Sequence, residues 1–267
     1  MREVESTNHA RAVLEAQGFV AEPIEEADCP GQRRADLRVG WESERYIVEA
    51  KGKDATEQYK SLLEQAQRDG LASLARELKS WNGLSSILED AEEQLSETAR
   101  RADEIRLVWL SCLHADAEYV LEAFRRRVFG LRTVMVWEPP GPRLVGDRLC
   151  FYYEFSDFFR YRGIDAVFLA REKGAQLLVN EFSERAPLLR RSHLYAVWSA
   201  ANATIDPTVF VADGDAFAIH ADIDRSGQKA QWKYIRETYG YLTTVCPEHH
   251  FSGLICLSVG DVPGEPS

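Results

Sequence analysis

The chain contains no apolar run approaching the eighteen or more residues that a membrane-spanning helix requires, and its opening Met1-Arg2-Glu3-Val4-Glu5-Ser6 is too polar for a signal peptide. A cytoplasmic protein without membrane contact is the expectation. Cysteine is scarce as well. The five residues Cys29, Cys112, Cys150, Cys246 and Cys256 are odd in number and far apart, which excludes a disulfide framework and reads as reduced packing thiols. Cys246 and Cys256 flank His249 and His250, but no Cys-x-x-Cys pair accompanies them, so structural zinc is not expected. No glycine-rich loop is present to cradle a nucleotide's phosphates.

Positive charge is in deficit too. With 32 Lys and Arg against 43 Asp and Glu the net charge is −11, which excludes the all-round basic surface of a protein that coats nucleic acid. It leaves room for an enzyme acting on nucleic acid, because carboxylates gather at a metal site while a local basic strip tracks phosphates. Candidate strips are Arg33-Arg34, Lys51 with Lys53, Arg125-Arg126-Arg127 and Arg190-Arg191; such a strip is more often a solvated face, and Arg33, Arg34 and Lys53 gain weight only as neighbours of Asp36 and Lys51. What is present in quantity is core material. At 267 residues and 45% hydrophobic, the chain makes one large or two modest globular domains.

The most informative stretch is Ala35 to Lys53. Two short apolar runs, Leu37 to Trp41 and Tyr46 to Val48, flank the polar tip Glu42-Ser43-Glu44, the pattern of a β-hairpin. Asp36 opens the first strand while Glu49 and Lys51 close the second, so antiparallel pairing brings all three to the hairpin's open end. Glu49 and Lys51 share a face, their alpha carbons about 7 Å apart, and Ala50 points the other way. Two carboxylates suit a hard divalent cation such as Mg²⁺. An adjacent ammonium suits an attacking water and the negative charge that builds on a phosphoryl group in the transition state.

Asp36 followed by Glu49-Ala50-Lys51 resembles the PD-(D/E)XK, or restriction-endonuclease-like, nuclease superfamily. The resemblance implies that Asp36 and Glu49 hold Mg²⁺, with Mn²⁺ able to substitute, that the Ala50 carbonyl adds a ligand, and that Lys51 positions the nucleophile. Ala35 stands where many members carry proline. The same resemblance implies an α/β fold whose core runs helix, three-stranded meander, helix, strand. In some members the first helix adds a glutamate, and Glu15 is the accessory candidate here, although it fits an exposed helix flank equally well. Gln58 is a second accessory candidate, and Arg33, Arg34 and Lys53 are candidates for contact with nucleic acid.

The surroundings agree in order. Ser6 to Gly18 reads as a helix with its N-cap at Ser6, Thr7 or Asn8 and Ala10, Val13, Leu14 and Gln17 along one stripe, leading into strand-like Phe19 to Ile24. Asp28 to Gln32 is a loop. Asp54 to Glu57 resembles a capping box, and Tyr59, Leu62, Leu63 and Ala66 recur at helical spacing after it. The pattern continues through Leu71, Leu74, Leu78 and Trp81, breaks at Asn82-Gly83, and resumes from Ser86 to Arg101. That helical hairpin reads as an insertion whose second, charged helix is a solvated face or a partner surface. A buried strand at Ile105 to Leu110, a helix through Ala117, Val120, Leu121 and Phe124, and a strand at Thr133 to Trp137 follow.

Glu138-Pro139-Pro140-Gly141-Pro142 is the strongest punctuation. It divides a nuclease-like region, 1–138, from an α+β region, 143–267, that directs substrate choice or assembly. In the second region Asp165 to Leu169 and Gln176 to Glu181 form a hairpin around Glu172-Lys173-Gly174, Phe217 to Ile223 a strand, and Gly227 to Tyr239 a helix. Asp165 and Asn180-Glu181 faintly echo Asp36 and Glu49 without a lysine, an echo better explained by chance. Phe158-Phe159-Arg160-Tyr161-Arg162 interleaves aromatics with arginines, as base stacking or core packing would. The function expected is a Mg²⁺-dependent DNA endonuclease of restriction, antiviral defence or repair type, and a homodimer or larger assembly is the form that cutting both strands suggests. The rival is a non-catalytic nucleic-acid-binding or assembly subunit that keeps the fold.

Overall fold

A computed structural model describes residues 3–25, 33–69, 82–114, 117–140 and 143–246. Helix α1 (Glu3–Ala16) leads into strands β1 (Val20–Pro23), β2 (Leu37–Trp41) and β3 (Glu44–Gly52). Helices α2 (Glu57–Asp69) and α3 (Asn82–Thr98), strand β4 (Ile105–Ser111), helix α4 (Ala117–Phe129) and strands β5 (Arg132–Glu138) and β6 (Arg143–Phe151) follow. The remainder comprises α5 (Asp157–Arg160), β7 (Ala166–Arg171), β8 (Gly174–Val179), α6 (Ala186–Leu189), α7 (His193–Ala200), β9 (Thr204–Ile205), α8 (Pro207–Ala212), β10 (Ala216–Ala218), α9 (Lys229–Tyr239) and β11 (Leu242–Val245).

The protein is mixed α/β. A seven-stranded sheet runs β1-β2-β3-β4-β7-β8-β9, and a four-stranded sheet runs β10-β6-β5-β11. Strands β1, β2 and β3 form an antiparallel meander, with Leu37 opposite Val48 and Trp41 opposite Glu44. Parallel neighbours β4 and β7 come next, joined through crossovers that carry helices. Both faces of the large sheet are covered, which is why its central strands are apolar at nearly every position. Tyr46, Val48, Ala50, Leu107, Trp109 and Phe168 face one core with Ala10 and Leu14 of α1 and Leu194 and Trp198 of α7. Ile47, Val108, Leu110, Val167 and Leu169 face the other with Leu88, Ala91 and Leu95 of α3 and Val120 and Phe124 of α4. That second core continues through Val134, Val136, Phe151 and Phe217 of the smaller sheet.

Several elements depart from the sequence reading, each for a physical reason. Ser6 is not an N-cap: α1 begins earlier, and the buried Ser6 hydroxyl donates to Ser111 Oγ, which also accepts from Trp109 Nε1. At α2 the cap is Thr56, whose Oγ1 accepts from the Tyr59 amide at 3.2 Å; Asp54 lies too far upstream for that position. Helix α3 is no appended surface element, because its apolar stripe closes the sheet over β3 and β4. Helix α2 instead packs Tyr59, Leu62 and Ala66 into a small cluster of their own. The Pro-rich segment after Glu138 connects two antiparallel strands of one sheet, β5 and β6. The large sheet takes strands from both sides of it. Phe217 to Ile223 yields only the short β10, since the chain leaves the sheet after Ile219, whose amide still donates to the Phe151 carbonyl. The helical stretch at Leu71, Leu74, Leu78 and Trp81, the loop 28–32 and the segment from Pro247 to Cys256 lie outside the described residues.

Gly130 marks a close approach of backbone where α4 turns into β5. Its φ is +56° in the turn between α4 and β5, and a Cβ there would strike the carbonyl of Glu154.

Candidate functional site

Strand β3 carries Glu49 and Lys51 on the face that packs against α3 and α4, while Ala50 between them is buried on the α1 face. Pairing of Leu37 with Val48 sets Asp36 beside Glu49 across the hairpin. The Asp36 amide donates to the Val48 carbonyl at 3.1 Å. Its carboxylate Oδ2 accepts from the Ala50 amide at 2.8 Å. Lys51 Nζ is 2.6 Å from Glu49 Oε1, with Glu49 fully buried and the Lys51 side chain 20% exposed. The structure thus brings Asp36, Glu49 and Lys51 together at the open end of the hairpin.

Gln94 of α3 is a member of the cluster that the sequence did not reveal. Its Oε1 accepts from Lys51 Nζ at 2.8 Å, and its Nε2 donates to the Arg34 carbonyl at 3.3 Å. One turn on, Thr98 Oγ1 accepts from the Ala35 amide at 2.8 Å. Two polar residues of one helix therefore clamp the segment that leads into Asp36. The signal was present in the spacing: Gln94 and Thr98 border the stripe Leu88, Ala91 and Leu95, so any helix burying that stripe must carry them to the sheet.

The accessory candidates lie elsewhere. Glu15 is exposed and pairs with Arg11 at 2.7 Å on α1, across the sheet from Glu49. Gln58 is exposed on α2, away from the buried side marked by Tyr59 and Leu62. Arg33 is already held by Asp90 and Glu93 of α3 at 3.2 and 3.0 Å. Arg34 donates to the Glu25 carbonyl, and Lys53 is half-buried, its amide bonded to the Ser111 carbonyl. Arg125 and Arg126 pair with Glu122, Arg127 with Asp157, and Arg190 with Asp206.

The echo in the second half dissolves on inspection of partners. Asp165 is buried, and its carboxylate accepts from the Arg106 amide at 2.7 Å, from Arg185 Nε at 2.9 Å and from the Ser183 hydroxyl. Burial pushes its carboxyl pKa up against the pull of Arg185. Glu181 turns to His220 Nε2 at 3.1 Å and to the Thr208 hydroxyl at 3.0 Å instead. Phe158 and Tyr161 are core residues, while Arg160 pairs with Glu89, which is the packing reading of that segment.

The carboxylates of Asp36 and Glu49 are hard oxygen donors, of the kind that suits Mg²⁺, an ion that keeps several waters and needs only one or two carboxylates. Among the described residues no cluster of three or more His, Cys, Asp or Glu side chains is placed to hold a metal. Any ion at this site would therefore rest on the two carboxylates, backbone and water. No described helix is long and apolar enough to cross a membrane. Comparison of the chain with protein-family models, with curated proteins and with solved structures finds no match, so the site's own geometry carries the functional argument.

Proposed function

We propose that the chain is a metal-dependent nuclease hydrolysing phosphodiester bonds, acting on DNA as an endonuclease of restriction, defence or repair type. The observation that carries this reading is the Asp36 carboxylate seated on the Ala50 amide, next to a Glu49 carboxylate whose Oε1 lies 2.6 Å from the Lys51 ammonium. The element order helix, antiparallel meander, helix, parallel strand supports it, being the order of the restriction-endonuclease-like core. Asp36 and Glu49 would hold Mg²⁺ together with the Ala50 carbonyl. When bound, the ion supplies polarisation of a phosphoryl oxygen and a water of lowered pKa. Lys51 orients the attacking water and offsets charge on the phosphoryl oxygens, and Gln94 holds that ammonium in place. Assembly as a homodimer would set two such centres against the two strands of a duplex.

The test is incubation of plasmid and single-stranded DNA with Mg²⁺ or Mn²⁺. Cleavage is expected, with loss of at least a hundredfold in rate for Lys51→Ala. Removing Lys51 breaks its ion pair with the buried Glu49 and costs on the order of 3 kcal/mol of stability, so a second variant is needed. Asp36→Asn retains an oxygen for the Ala50 amide while losing the charge. It is expected to keep its circular dichroism spectrum and lose cleavage. Absence of metal-dependent cutting on DNA and RNA alike would sink the enzyme reading. The complete burial of Glu49 favours a second one, a non-catalytic binding or assembly subunit of the same fold.

A further inference from the structure

Two cavities adjoin along α4 on the sheet face that carries Glu49 and Lys51. The larger, about 310 Å³, lies between α4 and the carboxyl end of β7 and includes Glu118, Arg125, Arg171, Lys173 and Gln176 in its lining. The smaller, about 190 Å³, reaches towards β5 and β6 and includes Arg126 and Arg132. Glu122 and Arg125 line both, which joins them into one groove. Five cationic side chains line it in a chain whose net charge is −11; Arg171 pairs with Glu118, Arg125 and Arg126 with Glu122, and Arg132 with Glu154. The Arg125 Nε is buried with no acceptor among the described residues, although its terminal nitrogen pairs with Glu122.

Register places this groove relative to the candidate site. Lys51 pairs with Leu110, Leu110 with Leu169, and Leu169 lines the larger cavity on the same face of the sheet. Two strand spacings make that separation on the order of 10 Å. At about 3.4 Å per nucleotide along a stacked strand, it spans about three nucleotides.

We propose that the groove is a phosphate-binding track that holds the substrate's sugar-phosphate backbone about three nucleotides from the bond presented to Lys51. This rests on the nuclease reading above. Glu118 and Glu122, which line the groove themselves, pair with Arg171 and Arg125. Lys173, at the tip of the β7–β8 hairpin, supplies a cation at its mouth.

The experiment is fluorescence anisotropy of a labelled single-stranded DNA oligonucleotide in EDTA, so that binding is read without cleavage. The double variant Arg171→Glu, Lys173→Glu changes exposed residues and is expected to weaken binding at least tenfold. Its salt dependence should become shallower by about 1.4, about 0.7 for each lost phosphate contact on a single strand. Arg143→Glu, 83% exposed on β6, is the control for a general change of charge and is expected to bind as wild type does. Equal affinity for the double variant, or an equal loss in the control, overturns the proposal. Competition by inorganic phosphate that is lost in the double variant while oligonucleotide affinity stays unchanged would reassign the groove to a free anion, and overturns it also. Cleavage assays on the same variants separate the two readings. Intact cutting with a neutral groove variant removes the track alone, whereas a wild-type protein that never cuts removes the nuclease assignment.

Discussion

Gln94 sits where the two halves of the candidate site meet, one end on the Lys51 ammonium and the other on the carbonyl two residues before Asp36. A hydrogen bond to a charged group contributes about 1.5–3 kcal/mol. If nucleolysis depends on the place of that ammonium, Gln94→Leu should lower the single-turnover cleavage rate by about tenfold to a hundredfold while substrate affinity holds. An unchanged rate would show that Lys51 needs no second partner. A separate pair lends itself to a pH experiment. Burial works to raise the Glu181 pKa, but the hydrogen bonds from His220 and Thr208 help to outweigh it and the pKa lies below its ordinary 4.5. The hydrogen bond to Glu181 raises that of His220 above 6.5 against the effect of burial. The raised histidine contributes stability that is complete below pH 6.5 and fades as pH climbs through its folded value. The depressed glutamate contributes stability present above pH 4.5 and lost as pH falls through its folded value. The pair therefore supports the fold best between those limits. Since His220 is 47% exposed, solvent screening limits the effect to about 1 kcal/mol or less, a melting shift of about 2–4 °C. His220→Ala should show that loss at pH 5.5 and none at pH 8.5 when melting temperatures are compared.

At the scale of elements, α2 and α3 exchange the importance their sequences advertise. Helix α2 follows the Glu49-Ala50-Lys51 strand at once and has a clean apolar stripe, yet Tyr59, Leu62 and Ala66 serve only a satellite cluster. Helix α3 is the more acidic, and it covers the sheet over the site with Leu88, Ala91 and Leu95. Leu95→Ala opens a cavity in the main core and should cost about 2–5 kcal/mol. Leu62→Ala should cost less, about 2 kcal/mol or under, because its small cluster at the margin relaxes around the loss. Urea unfolding of both variants reads the difference, and equal midpoints would contradict the assignment of α3 as the core helix. The periodicity of both helices was legible in sequence. Which one lies on the sheet was not, since amphipathicity states that a face is buried without stating against what.

For the whole molecule, one core spans both sheets, with Leu88 and Val108 continuous with Val134, Phe151 and Phe217. The sequence puts a division after Glu138 because proline and glycine cluster there, and such clusters mark hairpin connections as readily as linkers. A fragment ending at Glu138 lacks β7, the neighbour of β4, and would expose the edge formed by Val108, Trp109 and Leu110. It is expected to aggregate or to show no cooperative thermal transition, whereas the full chain should unfold with its near-ultraviolet and far-ultraviolet signals in step. A soluble fragment with its own sharp transition would establish that the first region folds alone.

The alternation of Leu37 to Trp41 and Tyr46 to Val48 around a polar tip was enough to determine the hairpin, and a hairpin of that length necessarily returns Glu49 to the neighbourhood of Asp36. These are local matters, set by strand periodicity and by the reach of a short turn. The clamp by Gln94 and Thr98, the removal of Glu15 to an exposed ion pair, and the row that leads from Lys51 to the groove at Leu169 were decided by tertiary structure. Each depends on which helix occupies which face and which strands become neighbours, and those choices follow from the joint burial of apolar surface across the whole sheet, a quantity that no single segment of the sequence contains.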